Sequence, residues 1–378
     1  MSYPLRFAIV GCGTIAPTHV DAIAALGSDV AVLTHCCDID TNRQNEFAGR
    51  YELIPSSFAD ILSNPKIDAV SICTPSGLHA ELGAATLAAG KHVITEKPMD
   101  ISLDACDKLR NAASTSGKTL SVICQHRFDP ASQEARDLLE NGRLGNIDLI
   151  DAQICWYRSQ GYYDSAGWRG TWEMDGGGCL MNQGVHTVDL LRWLGGELET
   201  VYAQTRTSAH ERIAVEDAVS ATLTFKNGAI GTITASTAAY PGFPARLSIY
   251  GSNGSLIING DALQTVAIQG EEIIQTAGAF ESAIRVASGG TRSVVPGLAV
   301  PPTGTAAPAN ESGAPAWGDA HLTQFKDFVH CCQTGERPLV DGTGARAAVA
   351  VVLAVYESAR TGQVISMEEF EKTREATS

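Results

Sequence analysis

Leu5-Arg6-Phe7-Ala8-Ile9-Val10-Gly11-Cys12-Gly13-Thr14-Ile15-Ala16 runs an apolar stretch into a glycine-punctuated turn and then into a helical pattern. A short apolar run bounded by such a turn reads as a buried strand. The turn has the form G-x-G-x-x-A. In that form Gly11 permits the tight bend, Gly13 lets the backbone approach a pyrophosphate, and the small Ala16 packs helix on strand. Amides at the start of the helix add donors and positive potential for phosphate. The strand before and the helix after distinguish this stretch from a glycine-rich turn with no ligand. It predicts the first βα unit of a dinucleotide-binding sheet, with Gly11, Gly13, Thr14 and Ile15 at the cofactor.

Apolar strand-like runs recur at 30–37, 69–73, 92–95 and 120–124, with helical patterns between them such as 102–113. This alternation predicts a parallel sheet with right-handed crossovers. Asp38 ends the second run, where a carboxylate accepts the adenosine ribose hydroxyls and repels a 2′-phosphate. NAD is therefore expected over NADP, although Arg43 nearby could accept a phosphate. Thr74, Pro75 and His79 follow the third long strand and are expected along the cofactor crevice.

Past about residue 145 the runs become rich in Thr, Ser, Val and Ile: 147–158, 201–207, 218–225, 229–236, 247–250 and 255–259. Asn227-Gly228 and Asn253-Gly254 are hairpin turns. Ala221, Leu223 and Phe225 alternate with Ser220, Thr222 and Thr224, which predicts a largely antiparallel sheet with one covered face. The other face suits a homodimer or homotetramer, or solvent. The expected fold is thus α/β: a Rossmann domain over 1–124, then a substrate and oligomerisation domain over 125–378 with a large open sheet. Residues 275–317, rich in Ala, Gly, Pro, Ser and Thr, read as a long insertion or lid. Helical patterns return at 321–332 and 344–360.

Thr95-Glu96-Lys97-Pro98 follows the strand-like His92-Val93-Ile94. A lysine there reaches the nicotinamide end of a bound dinucleotide, with Glu96 beside it. Gly176-Gly177-Gly178 precedes a helical run over 181–194, in which Asn182, His186 and Asp189 share one face at i, i+4 and i+7. A helical histidine is more often structural than catalytic, but this one has an amide one turn before it and a lysine to meet. The chemistry expected is oxidation of a secondary alcohol. His186 takes the hydroxyl proton, Lys97 stabilises the developing alkoxide, and Asn182 orients the substrate or His186. Tyr162-Tyr163-Asp164 and Gly167-Trp168-Arg169-Gly170 offer rings and a cation to a polyhydroxylated or carboxylated ring. Tyr163, Arg169 and Arg127 are candidates for the substrate, as is His321. Trp168, Arg169 and Gln125 are placed at the cofactor.

The formal net charge of −15 argues against nucleic acid or an anionic membrane as partner. Ten cysteines include no C-x-x-C pair, so neither a metal nor disulfides are expected. The N-terminus has no basic segment ahead of an apolar core, and no stretch approaches a membrane span. A cytoplasmic protein is expected.

Taken together, Gly11–Ala16, Cys73-Thr74-Pro75, Glu96-Lys97-Pro98 and the segment 176–189 resemble the Gfo/Idh/MocA oxidoreductases. The resemblance implies a Rossmann domain, an open-sheet domain used in oligomers, a cis Lys97–Pro98 bond and an NAD-dependent sugar dehydrogenase. Many members carry aspartate where this chain has Asn182, which sets it apart from a simple inositol dehydrogenase. Thr74–His79, Tyr162–Trp172, Met181-Asn182-Gln183 and Val215-Glu216-Asp217 are similar to a subgroup, the bacterial UDP-N-acetylglucosaminuronate 3-dehydrogenases. His126 stands where that subgroup tends to have asparagine. Alternatives kept open are a dehydrogenase of a simple glycoside or cyclitol, a keto-sugar reductase, and a non-catalytic NAD(P)-sensing regulator.

Overall fold

The computed structural model describes residues 4–275 and 317–375. The first 122 residues place β1 (Leu5–Val10), α1 (Ala16–Ala25), β2 (Ala31–Cys37), α2 (Thr41–Tyr51), β3 (Ile54–Pro55), α3 (Phe58–Ser63), β4 (Ala69–Ile72), α4 (His79–Ala88), β5 (His92–Thr95), α5 (Leu103–Ser116) and β6 (Leu120–Val122). The strands form one parallel sheet in the order β3-β2-β1-β4-β5-β6. Both faces are covered by helices, which is why β4 and the last four residues of β1 are wholly buried. Strand order reverses between β1 and β4, and the crevice beyond their carboxyl ends is where such sheets bind ligands.

The chain continues through α6 (Pro130–Glu140), β7 (Ile147–Cys155), α7 (Gln160–Asp164), α8 (Val185–Gly195), β8 (Leu198–Arg206), β9 (Ala218–Phe225), β10 (Ile230–Ser236), β11 (Arg246–Gly251), β12 (Gly254–Asn259), β13 (Ala262–Ile268) and β14 (Ile274–Gln275). After residue 316 come α9 (Trp317–Thr334), α10 (Gly342–Thr361), β15 (Ile365–Ser366) and α11 (Met367–Glu375). The second sheet has nine strands in the order β14-β13-β12-β11-β7-β10-β9-β8-β15. It is antiparallel except that β10 runs parallel to β7. In β9, Val219, Ala221, Leu223 and Phe225 are buried and Ser220 and Thr222 exposed, as the alternation predicts. The covered face packs on α8 and α10. Leu149, Tyr202 and Ile230 are exposed on the sheet's strands. The proposed lid over 275–317 lies, apart from its two end residues, outside the described residues.

The last part of the chain returns to the first sheet. Phe325 and Phe328 of α9 are fully buried against Phe7 of β1, with ring centroids 6.1 and 6.0 Å apart. Gln324 accepts from Cys124 N at 3.1 Å and donates to Val122 O at 2.7 Å. Arg346 of α10 makes a two-pronged pair with Asp107 of α5 at 2.7 and 3.0 Å, buried on both sides. Among the described residues no helix is long and apolar enough to cross a membrane.

Candidate active site

At the phosphate turn Gly11 has φ +93°, and a Cβ there would lie 2.6 Å from the Cys73 backbone. A Cβ on Gly13 would meet nothing within 4 Å, so the turn leaves open space where a phosphate would approach. Thr14 and Ile15 lead into α1, whose first turn has no acidic residue and no side-chain cap to compete for its amides. Asp38 accepts Cys12 N and Asp40 N, both at 2.8 Å, and Arg43 reaches the same carboxylate at 3.4 Å. Beyond the ends of β4 and β6, Thr74 Oγ1 and Gln125 Oε1 are buried without a hydrogen-bond partner. Buried orphans of this kind await a ligand group. Open space at Gly13, a carboxylate at the end of β2 and, among the described residues, unpaired polar atoms along the crevice fit a dinucleotide. Pro75 enters a short turn, and the His79 ring bridges Thr74 O at 2.9 Å and Pro98 O at 2.7 Å. His79 thereby ties the crevice edge to the lysine loop.

That loop leaves β5 through Glu96 and the cis Lys97–Pro98 bond. The Glu96 carboxylate faces His19 Nε2 at 2.9 Å, and His19 Nδ1 meets Ser71 Oγ at 2.7 Å. His321 Nε2 lies 3.8 Å from the same carboxylate. Burial pushes the Glu96 carboxyl up, but its contacts with His19 and His321 outweigh this and hold it well below the usual range. Glu96 also accepts Lys97 N at 3.1 Å. Lys97 turns its ammonium to Asn182 O at 3.0 Å, joining the two halves of the molecule. Burial lowers its pKa, against the pull of Glu96 and Asp175.

The histidine side is anchored by Glu216. Its carboxylate accepts Gly178 N at 2.8 Å, Leu180 N at 2.9 Å and the Tyr356 hydroxyl at 2.9 Å. A Cβ on Gly178 would sit 1.9 Å from Glu216 O, so only glycine fits this close approach. The continuous helix predicted over 181–194 is instead a π-helical turn at Cys179–Gly184 followed by α8. A π turn holds one more residue than an α turn, so the shared face of Asn182, His186 and Asp189 is lost. Asp189 points to Arg127, whose guanidinium it grips at 2.7 and 2.6 Å. The Asn182 side chain donates to Asp175 and accepts from Gln183 Nε2 at 2.6 Å. His186 is 8% exposed, with Nδ1 buried and unpartnered. Burial first, and the Lys97 charge second, hold its pKa well below the usual histidine value.

Above these groups Tyr162 is flanked by two arginines. The Arg169 guanidinium lies 4.3 Å from the ring centroid and that of Arg158 5.5 Å. Arg169 Nη1 donates to the Tyr162 hydroxyl at 2.6 Å, as does Gln183 Nε2 at 2.8 Å. Trp168 stacks under Arg169 at 4.7 Å, and Arg169 Nε is buried without a partner. Among the described residues neither Arg158 nor Arg169 is in an ion pair, and both lie in the field of Lys97. Burial lowers the Arg158 pKa.

Three substrate candidates are placed otherwise than the sequence suggests. Tyr163 is buried and directs its hydroxyl to Thr237 Oγ1 at 3.0 Å, so its neighbour Tyr162 takes the position beside the arginines. Arg127 is 4% exposed and committed to Asp189, leaving no guanidinium for a ligand. His321 lies beneath Glu96. Sequence reasoning did not place Arg158, Asp175, Gln183 or Glu216 in the site, and it chose Tyr163 over Tyr162. The only signal was their place among residues already singled out, since which of two adjacent tyrosines faces inward is set by the loop and not by periodicity.

The family model for oxidoreductases with an NAD-binding Rossmann fold matches residues 5–124, and that for the GFO/IDH/MocA C-terminal domain matches 132–257. The WlbA dehydrogenase of Bordetella pertussis, solved with NADH and UDP-GlcNAcA, is 31% identical over 96% of this chain and 98% of its own, with a TM-score of 0.79. The WlbA enzyme of Chromobacterium violaceum, also solved with NADH and UDP-GlcNAcA, is 31% identical over 97% and 96%, with a TM-score of 0.79. Myo-inositol 2-dehydrogenase of Thermotoga maritima is 24% identical over 97% of this chain and 99% of its own.

Proposed function

The chain belongs to the Gfo/Idh/MocA family of NAD-binding oxidoreductases, and from that premise we propose that it oxidises a ring secondary hydroxyl of an acidic sugar derivative. A nucleotide-sugar uronate attacked at C3 is the form of substrate this reading favours. The observation that carries it is the pair Arg158 and Arg169, stacked on Tyr162 beside Lys97 and, among the described residues, in no ion pair, although the buried Asp175 carboxylate acts on Arg169 and Lys97 from nearby. Three cationic side chains gathered in one partly buried place, offset only in part by Asp175 and Glu96, favour an anionic ligand. A neutral cyclitol would leave both guanidiniums without an ion-pair partner among the described residues.

Bound NAD supplies the acceptor for the hydride. The residues of the chain do the rest. Lys97 Nζ, already donating to Asn182 O, adds a donor to the substrate oxygen and stabilises negative charge there. His186, kept neutral by burial and by the Lys97 charge, takes the hydroxyl proton on Nε2. Asn182, fixed between Asp175 and Gln183, sets the position of the carbonyl that holds Lys97. The arginines hold the anionic end and so fix which hydroxyl faces His186. The presence of both Lys97 and His186 sets this reading against a non-catalytic NAD sensor, and the same groups serve reduction of a keto-sugar in reverse.

NADH formation is to be measured with a panel of uronates, nucleotide-sugar uronates, neutral sugars and inositols. Acidic sugars are expected to react best. Arg158→Ala and Arg169→Ala should each lower kcat/KM for the acidic substrate by about 10- to 100-fold, the loss of a charged hydrogen bond, with NADH affinity unchanged. Faster turnover of a neutral sugar, indifferent to both substitutions, would refute the proposal.

A further inference from the structure

Oxidation of an alcohol releases a hydride and a proton, and His186 has no evident way to dispose of the proton. Its Nδ1 is sealed from solvent and, among the described residues, has no hydrogen-bond partner. The groups acting on its charge are Lys97 and Glu96 from the loop after β5, His321 from α9 and His126 from the short helical turn Gln125–Phe128. Lys97 is a cation. Glu96 is engaged by His19 and Lys97 N. His321 is buried, at 2% exposure. His126 alone combines three properties. Its ring meets that of His186 edge to face, with centroids 5.2 Å apart. Its side chain is 24% exposed. Its Nδ1 lies 2.6 Å from Asp129 Oδ2. A carboxylate at that distance takes the Nδ1 proton as a hydrogen bond, so Nε2 carries the lone pair.

We propose that His126, held by Asp129, is the exit through which the substrate proton leaves His186 for solvent. The inference rests on the reading of His186 as the base. The steps balance. The C–H electron pair leaves as hydride to NAD, and the O–H proton passes to Nε2 of His186. When the rings close to hydrogen-bond distance, the Nδ1 proton of that imidazolium passes to Nε2 of His126, the charge is compensated by Asp129, and solvent removes the proton at the exposed edge. His186 is left neutral with its proton on Nε2, and it regains the Nδ1–H tautomer before the next turnover. The arrangement parallels a histidine backed by a carboxylate, with a second imidazole inserted between them so that the buried base need not face water directly. His126 acts through His186 and is a positioning and relay residue, and it needs no contact with substrate.

Two kinds of measurement test this. With the best substrate of the panel, His126→Asn and Asp129→Asn should lower kcat about tenfold or more, within the range of a lost proton-transfer group, while KM and NADH affinity stay within twofold. Added imidazole should restore part of the kcat of His126→Ala. A loss that imidazole does not relieve, or an unchanged kcat, overturns the relay. Independently of turnover, histidine-labelled protein observed by NMR should show the His186 titration midpoint displaced in His126→Asn. An unmoved midpoint also overturns the relay. If the wild-type protein reduces NAD with no member of the panel, the substrate proposal fails, and the NMR arm still decides whether the two imidazoles are coupled.

Discussion

Lys97 is half-buried, held by one backbone carbonyl at 3.0 Å and, among the described residues, by no ion pair. Burial lowers its pKa, and a lowered pKa is a stability statement. The folded state binds the Lys97 proton less readily than the unfolded state does, so stability is lost as pH falls from the ordinary lysine value, roughly 10.4, through the lowered one. At neutral pH, below the ordinary lysine value, that cost is present. Lys97→Met is therefore expected to abolish turnover, a loss of about 100-fold or more, while raising the melting temperature, by roughly 2–4 °C for each kcal/mol recovered. The gain should disappear above the ordinary lysine pKa, where the unfolded side chain is neutral too. A thermal melt at neutral and at high pH checks both parts, and a lower melting temperature at neutral pH would contradict the argument. Arg127 differs: Asp189 holds it in a direct ion pair, whereas Glu96 and Asp175 act on Lys97 without one among the described residues.

The turn between Gly176 and α8 is the element on which the site depends. Neither its π geometry nor its anchor is local. Glu216, from the segment before β9, accepts two of the turn's amides and the Tyr356 hydroxyl. Burial raises its pKa, and the two amides and Tyr356 oppose this without cancelling it. Replacing it by Gln turns one acceptor into a donor facing Gly178 N. Such a buried mismatch costs about 1–3 kcal/mol, and it falls on the segment that sets the Asn182 carbonyl under Lys97. Glu216→Gln is expected to lower both the unfolding free energy and kcat, with NADH affinity retained, as denaturant titration and NADH fluorescence would show. The glycine triplet was legible as a place of close approach. The partner it approaches was not, because Glu216 is 38 residues away in sequence.

At the scale of the whole molecule the last part of the chain returns to the first sheet. The alternating pattern of 1–124 suggests a self-sufficient domain, and its six parallel strands form as read. Yet Phe7, Ile23, Ile94 and Ile123 are buried in a cluster completed by Phe325, Phe328 and Val329 of α9. Without α9 that apolar face meets water, at roughly 1.5–3 kcal/mol for each large side chain uncovered. A chain ended at residue 124 is expected to show no cooperative thermal transition and no NADH binding. A fragment that melts sharply and binds NADH would show α9 to be dispensable.

What the sequence by itself determined were the features encoded in neighbours along the chain: the G-x-G-x-x-A turn, the strand alternation, the Asn-Gly hairpins, and the positions of Lys97 and His186. These rest on local sterics and on periodicity, which need no knowledge of distant partners. What only the tertiary structure decided was which polar groups neutralise each other. Arg127 meets Asp189, Tyr163 meets Thr237, and Arg158 and Arg169 stack on Tyr162 with no ion pair among the described residues. Charge pairing acts through space at a few ångströms, and the chain brings those ångströms together only by folding.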